Sequence, residues 1–236
     1  MQTAMRKVIS KKGFHKVRRA LLGALAAIFL TSCAIGPWTA GLPSAEPEPP
    51  LYTAPASRDD APDFVIVNAP FESVWSQTIP EFEKTFYVIN NMDKASGVIN
   101  VGFSEDPERA VDCGQLRSQA FLHEADFAAA DANQTYYAAP KGILPWRGLF
   151  PIKINRKVSI DGRANVVFEE LSPTSTRVTV TAHYVVIRDD VIHGPKGPIA
   201  SHGSIAFATG SSGKFADGCV CKPNGRLEGM ILGLVK

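Results

Sequence analysis

The sequence predicts an α+β domain, in which a curved antiparallel sheet packs on a C-terminal helix and a further helix follows the first strand. Two observations support this class. Apolar residues recur at helical spacing in two segments, one starting near residue 71 and one after Gly225. Between these segments, apolar and polar residues alternate in several stretches, as they do in strands with one buried face.

The first strand and helix are predicted at residues 64–67 and from residue 71 onward. Pro70 suits the start of a helix, because the N–H that proline lacks would have no partner there. The apolar face of this helix consists of Phe71, Val74, Trp75, Phe82 and Phe86. Pro80 lies inside the pattern, so we expect the helix to kink or to end early.

Several strands follow. Residues 86–89 and 98–103 form the first pair, with a turn at Ser96-Gly97, and residues 104–154 are irregular. Asp161-Gly162 is a dipeptide favoured in tight hairpins, so we expect a turn between strands at 156–160 and 164–171. Another turn at Pro173 precedes strands at 177–188 and 204–209. The final helix presents Leu227, Met230, Ile231, Leu234 and Val235 on one side.

Residues 1–32 have the three parts of a bacterial export signal. A basic stretch runs to Arg19, an apolar stretch of 11 residues covers 20–30, and Thr31-Ser32 precede Cys33. The apolar stretch is shorter than the about 20 residues that a membrane-spanning helix needs. An ordinary secretory signal and an uncleaved anchor are the alternatives.

Leu30-Thr31-Ser32-Cys33 resembles a lipobox, the motif at which bacterial lipoproteins are acylated on cysteine and cleaved just before it. The resemblance implies lipidation of Cys33 with more than one acyl chain, which stable membrane anchoring requires. Ala34 follows the cysteine, where an aspartate would imply retention at the inner membrane. The resemblance therefore implies the outer membrane, with the protein on its periplasmic face.

Residues 33–62 carry the lipidated N-terminus and a tether rich in proline, with seven prolines between residues 34 and 62. Such a composition favours extended polyproline conformations and buries little apolar surface. One folded domain is predicted at 63–236. A chain cut before Cys33 keeps 18 basic against 23 acidic residues, because seven of the 25 Lys and Arg residues precede residue 20. This negative balance argues against nucleic-acid binding.

Four segments of the folded part are similar to a family of proteobacterial lipoproteins related to BamC, a subunit of the outer-membrane β-barrel assembly machinery. They are residues 69–75 (APFESVW), 87–93 (YVINNMD), 96–101 (SGVINV) and 112–114 (DCG). The resemblance covers most of 63–236 and implies a single helix-grip domain. It also implies a non-enzymatic accessory or scaffold role in outer-membrane or envelope assembly, with an envelope protein complex as the partner. Because helix-grip domains often enclose an apolar cavity, a lipid or small apolar ligand is the alternative.

Cys113, Cys219 and Cys221 remain once Cys33 is lipidated. In an oxidising compartment we expect one disulfide and one free thiol. A Cys219–Cys221 bridge would be strained, so Cys113 pairs with either of the other two. The resemblance to the BamC-related lipoproteins implies Cys221. A zinc site with His123 or His202 as the fourth ligand is an alternative, although the spacing is unlike that of zinc fingers. A redox centre is another.

No catalytic residue, metal site or cofactor is predicted. Gly210-Ser211-Ser212-Gly213 has the wrong spacing for a nucleophile elbow, and His123-Glu124 lacks the second histidine of a zinc-protease helix. His183 falls on the polar side of an alternating strand, where a solvated role is expected. Asp189-Asp190 is interpreted as a solvated strand end, with cation binding as the alternative.

The irregular section contains an apolar, aromatic stretch interrupted by proline and glycine at residues 143–151. Its residues either plug the open side of the sheet or form a partner-binding patch of Trp146, Leu149 and Phe150, because aromatic anchors dominate interface energetics. Under the second hypothesis, Trp146→Ala leaves the domain folded and weakens capture of a membrane partner.

Overall fold

Antiparallel strands dominate the computed structural model of the protein, which describes residues 51–56, 63–120, 123–138, 151–194 and 196–236. These residues lie within one compact unit of the chain, Gly41–Lys236. The strands are β1 (Leu51–Thr53), β2 (Phe64–Val67), β3 (Val88–Asp93), β4 (Val98–Glu105), β5 (Val111–Asp112), β6 (Gln115–Ala120), β7 (His123–Ala128), β8 (Asn133–Ala138), β9 (Ile152–Ser172), β10 (Ser175–Gly194), β11 (Gly197–Ala208), β12 (Gly213–Lys214) and β13 (Val220–Pro223). The helices are α1 (Phe71–Glu83), α2 (Pro107–Ala110) and α3 (Arg226–Leu232).

The predicted α+β helix-grip class is wrong. The described residues form a mostly β structure, in which the helices have 13, 4 and 7 residues. The C-terminal helix that the sheet was expected to grip is only two turns long, because it ends at Leu232 with Gly233 as its C-cap, which leaves Leu234 and Val235 of the predicted apolar face beyond its end. Much of the section expected to be irregular is β6, β7 and β8, whose pairing partners are set by the tertiary fold.

A seven-stranded sheet forms the centre of the structure, with β11, β10, β9, β4 and β3 in that order. Strand β2 pairs with β10 beyond the end of β11, and β8 pairs with β9 beyond the end of β4. Two smaller three-stranded sheets, β1-β6-β7 and β12-β13-β5, complete the described strands. Strand β1 lies within the segment whose composition predicted a tether.

The two longest strands, β9 and β10, have 21 and 20 residues and join at a turn at Pro173, as predicted. The expected hairpin at Asp161-Gly162 is wrong, because β9 passes straight through these residues. A glycine is needed at position 162 because there is no room for a side chain, and not because the chain turns there. A Cβ at this position would lie 2.2 Å from the carbonyl oxygen of His183 and 2.4 Å from a ring atom of Phe103.

Helices α1 and α3 pack on one face of the central sheet, where the core lies. Val74, Trp75 and Phe82 of α1 are buried, as predicted. The helix continues for one turn past Pro80 and ends at Glu83, so that Phe86 lies outside it and is fully exposed. Leu227 and Ile231 of α3 are also fully buried.

A buried carboxylate fixes α3 to the sheet. Glu228 is fully buried, and its Oε1 accepts hydrogen bonds from the hydroxyls of Tyr184 at 2.7 Å and Thr209 at 2.8 Å. Thr209 Oγ1 in turn accepts from the N–H of Ala182 at 2.8 Å. The chain therefore satisfies one oxygen of this carboxylate with two hydroxyl donors from the central sheet and the turn after it.

A second buried polar cluster lies where β8, β9 and β10 meet. Arg156 binds Asp190 through two hydrogen bonds, of 2.7 and 3.0 Å, and donates another to the hydroxyl of Tyr136 at 2.9 Å. The Arg188 guanidinium lies 3.4 Å from Oδ2 of Asp190 through its Nε and 2.8 Å from Oδ2 of Asp217 through a terminal nitrogen. Burial alone would raise the pKa of Asp217, but Arg188, the backbone N–H of Cys219 and the charge of Arg156 together lower it.

Cys113 and Cys221 form a disulfide, the pairing that the resemblance implied, with their Cα atoms 4.0 Å apart. It joins β13 to the residue after β5. Cys219 is free and buried, and its Sγ lies 3.7 Å from the carbonyl oxygen of Cys113. Burial, with the nearby Asp217 carboxylate, raises the pKa of the Cys219 thiol. Its thiolate is therefore disfavoured, as in a structural cysteine.

Candidate functional site

The face of the central sheet opposite α1 and α3 is called the open face here. From residue 152 to 168 of β9, the even-numbered residues are buried except for the half-buried Gly162, and the odd-numbered residues are exposed or half-buried. Because directly opposed residues of an antiparallel pair share a face, the pairing register assigns the neighbours of these odd-numbered residues to the open face as well.

A depression of about 650 Å³ lies in the middle of the open face. It is called the open-face pocket and is lined by Asn100, Asp161, Gly162, Arg163, Asn165, His183 and Val185. Small residues on the neighbouring strands lie opposite two of the lining residues. Gly102 of β4 is opposite Arg163, and Ala208 of β11 is opposite His183. A Cβ on Gly102 would lie 3.2 Å from Nδ2 of Asn90, which indicates that the Asn90 amide covers this glycine.

Three asparagines form a row of hydrogen bonds across β3, β4 and β9. Asn90 Nδ2 donates to Asn100 Oδ1 at 3.1 Å, and Asn100 Nδ2 donates to Asn165 Oδ1 at 2.6 Å. The Nδ2 group of Asn165 ends the row at the pocket and has no acceptor within the described part of the chain. The row therefore presents an amide donor to the pocket.

Two opposite charges line the same pocket. Asp161 and Arg163 are two residues apart on β9 and both are exposed. Within the described ranges, neither forms an ion pair, whereas Arg177 on the same face lies 3.6 Å from Glu169. A guanidinium, a carboxylate, an amide donor and the His183 imidazole thus converge on one depression, and the first three are free to bind a polar ligand.

The remaining histidines and acids of β10 and β11 do not line the open-face pocket. His202 Nδ1 is 2.7 Å from Asp189 Oδ1, and His193 Nε2 is 3.0 Å from Nδ2 of Asn155. Asp189 is exposed as expected, but the solvated interpretation is wrong for Asp190, which is buried against Arg156.

The zinc alternative loses two of its ligands, because the sulfurs of Cys113 and Cys221 are in the disulfide. No group of three or more possible metal ligands occurs in the portion of the chain that the structure describes.

Some predicted sites fall outside the described residues. These are Cys33 and the aromatic patch of Trp146, Leu149 and Phe150. Their roles stay predictions.

Sequence reasoning missed the asparagine row and Arg163. The signal was present in β9, where Asp161, Arg163 and Asn165 alternate with small and apolar residues. Interpreting Asp161-Gly162 as a turn separated the first of these residues from the other two. The partners Asn90 and Asn100 could not be found in this way, because only the register of β3, β4 and β9 brings them together.

Comparison with known proteins gives no relative from which a role could be transferred. No protein-family model, no curated protein and no solved structure matches the chain. Among the described residues, no helix is both long enough and apolar enough to cross a membrane.

Proposed function

We propose that this protein is a lipid-anchored, non-enzymatic scaffold on the periplasmic side of the outer membrane, and that its open face binds a protein of an envelope complex. The observation that supports this role best is the open face itself. In the described structure, one face of a seven-stranded sheet packs on two helices, while the opposite face carries exposed side chains over the length of β9.

The composition of the open face suits a protein partner. Exposed apolar side chains lie among charged and amide groups, and five of them are at least 38% exposed. They are Phe64, Ile66, Val88, Val167 and Val185. Protein–protein interfaces of the non-obligate kind combine apolar and polar surface in this way. The ladder hydrogen bonds of the sheet also hold the backbone that carries these side chains in place, which lowers the entropic cost of binding.

The N-terminal features supply the location in this proposal. Lipid on Cys33 would confine the protein to a membrane surface, and the proline-rich segment after it would let the sheet domain reach a partner away from the bilayer.

The other candidate, a lipid or small apolar ligand between sheet and helix, has less support. Leu227 and Ile231 fill the inner side of α3. Beneath them, the ring of Tyr184 stacks on Phe207 at 5.5 Å and meets Phe103 edge-on at 5.7 Å. These buried contacts occupy the space between α3 and the sheet at these residues.

Photo-crosslinking in intact cells tests the role of the open face. We replace Thr181, an exposed open-face residue opposite Asn165, with p-benzoylphenylalanine, and make the same replacement at Gln77 on the exposed side of α1 as the matched control. The expected result is one dominant adduct from Thr181, identified by mass spectrometry as an envelope protein, and no such adduct from Gln77. Equal adducts from both positions, or an adduct from Gln77 alone, would contradict the proposal.

A further inference from the structure

The open-face pocket has the chemistry of a site for a ligand that carries a carboxylate and a nearby N–H donor. We propose that it binds the free α-carboxylate of an amino acid or of a peptide, with Arg163 and Asn165 on the carboxylate and Asp161 on the neighbouring N–H or ammonium group. This inference rests on the proposed function, because it assigns a ligand to the same face.

Arg163 is the principal carboxylate ligand in this proposal. Its guanidinium presents a planar fork of N–H donors that matches the two oxygens of a carboxylate, and such pairs are stronger than neutral hydrogen bonds. The side chain is exposed and lines the pocket, and no carboxylate among the described residues engages it. Another arginine of the open face, Arg177, already has Glu169 at 3.6 Å.

The asparagine row adds a second donor to the carboxylate site. Each amide in the series Asn90, Asn100, Asn165 donates to the next, so their dipoles point in one direction across the strands. Hydrogen bonds in series polarise one another, which strengthens the final donor. That donor is Nδ2 of Asn165, on the residue two positions after Arg163 and on the same face of β9.

Asp161 selects among anions. It lies two residues before Arg163, so the two Cα atoms are about 7 Å apart along the strand. A ligand with a carboxylate and an adjacent N–H group can satisfy both charges at once, because it brings an acceptor and a donor within a few ångströms of each other. Phosphate brings a larger negative charge and no N–H donor, so Asp161 would repel it. An uncharged sugar would leave the Arg163 charge without a counter-ion.

Calorimetric titration of the purified full chain tests this inference with four probes. They are alanylalanine, its C-terminal amide, free alanine and inorganic phosphate. We expect alanylalanine to bind at least tenfold more tightly than its amide and than phosphate. Alanine binding as tightly as alanylalanine would identify a free amino acid as the source of the carboxylate, whereas weaker binding of alanine would identify a peptide, and either result supports the inference.

Two variants assign the binding to the pocket. Arg163→Gln should weaken alanylalanine binding at least tenfold, while Arg177→Gln, also on the open face, should leave it unchanged. A thermal melt of each variant checks that the domain stays folded, which we expect because Arg163 is exposed and Arg177 is half-exposed.

No binding by alanylalanine or alanine, equal binding of the amide, or full binding by Arg163→Gln would overturn the inference. If the Thr181 adduct persists in cells while these titrations fail, the ligand chemistry is wrong and the binding role of the open face stands. Absence of both the Thr181 adduct in cells and ligand binding in the titrations would reject the proposed function itself.

Discussion

Replacing Asp190 with alanine is expected to destabilise the folded domain by about 3–5 kcal/mol, because it leaves the buried Arg156 charge without its partner. Arg156 is 5% exposed, and two hydrogen bonds of 2.7 and 3.0 Å join it to Asp190. The neutral hydroxyl of Tyr136, which accepts a third bond, cannot balance the charge. The change in the free energy of unfolding is measured by urea denaturation.

An exposed ion pair of the same chemistry provides the control. Arg117 and Asp126 lie 2.8 Å apart with half of each side chain in solvent, so Asp126→Ala should cost far less than Asp190→Ala, because exposed ion pairs contribute little to stability. The double variant Arg156→Met, Asp190→Leu removes both charges and should be less destabilised than Asp190→Ala alone. Equal costs for Asp190→Ala and Asp126→Ala would show that the Arg156 charge is not buried in the way described.

Loss of the disulfide is the second large effect. Cys113 and Cys221 are 108 residues apart in sequence, and closing a loop of this length stabilises a folded chain by about 4–5 kcal/mol in the chain-entropy model. We therefore expect Cys113→Ser to lower the free energy of unfolding by several kcal/mol under oxidising conditions. Thiol titration of the denatured, unreduced protein should detect Cys219 as the free thiol among the cysteines of the sheet domain.

Cys219→Ala is the matched control for the disulfide variant, since it removes a buried sulfur and leaves the crosslink intact. Its cost should be clearly smaller than that of Cys113→Ser. Reduction of the wild-type protein should lower its free energy of unfolding by about as much as Cys113→Ser costs beyond Cys219→Ala, because reduction removes the crosslink alone. A Cys113→Ser variant as stable as Cys219→Ala, or wild-type stability that does not change on reduction, would contradict the structural role of the bridge.

Local patterns in the sequence predicted several elements correctly. The helix after Pro70, the turn at Pro173 and the alternation of β10 depend on residues close together in the chain, and all three are present. The Asp161-Gly162 turn failed for the opposite reason. This dipeptide fits a hairpin locally, but Phe103 and the backbone of His183, both distant in sequence, require a glycine in a straight strand.

The candidate site could not be predicted from the sequence, because the pairing register of distant strands brings its residues together. Asn100 and Asn165 are 65 residues apart, and nothing in either segment indicates that they are opposite each other. The same holds for Asp190, which the sequence alone places at a solvated strand end. Only the pairing of β9 with β10 places Arg156 directly opposite it.

The proposed role depends most on the processing of the N-terminus at Cys33, because the open face meets an envelope partner only if the chain is exported and held at the membrane. The measurement is the intact mass of the native protein extracted with detergent from isolated outer membranes. We expect a chain that begins at Cys33 and carries the added mass of two or three acyl groups. A native protein found free in the soluble periplasmic fraction, or one that still carries residues 1–32, would contradict the proposed role.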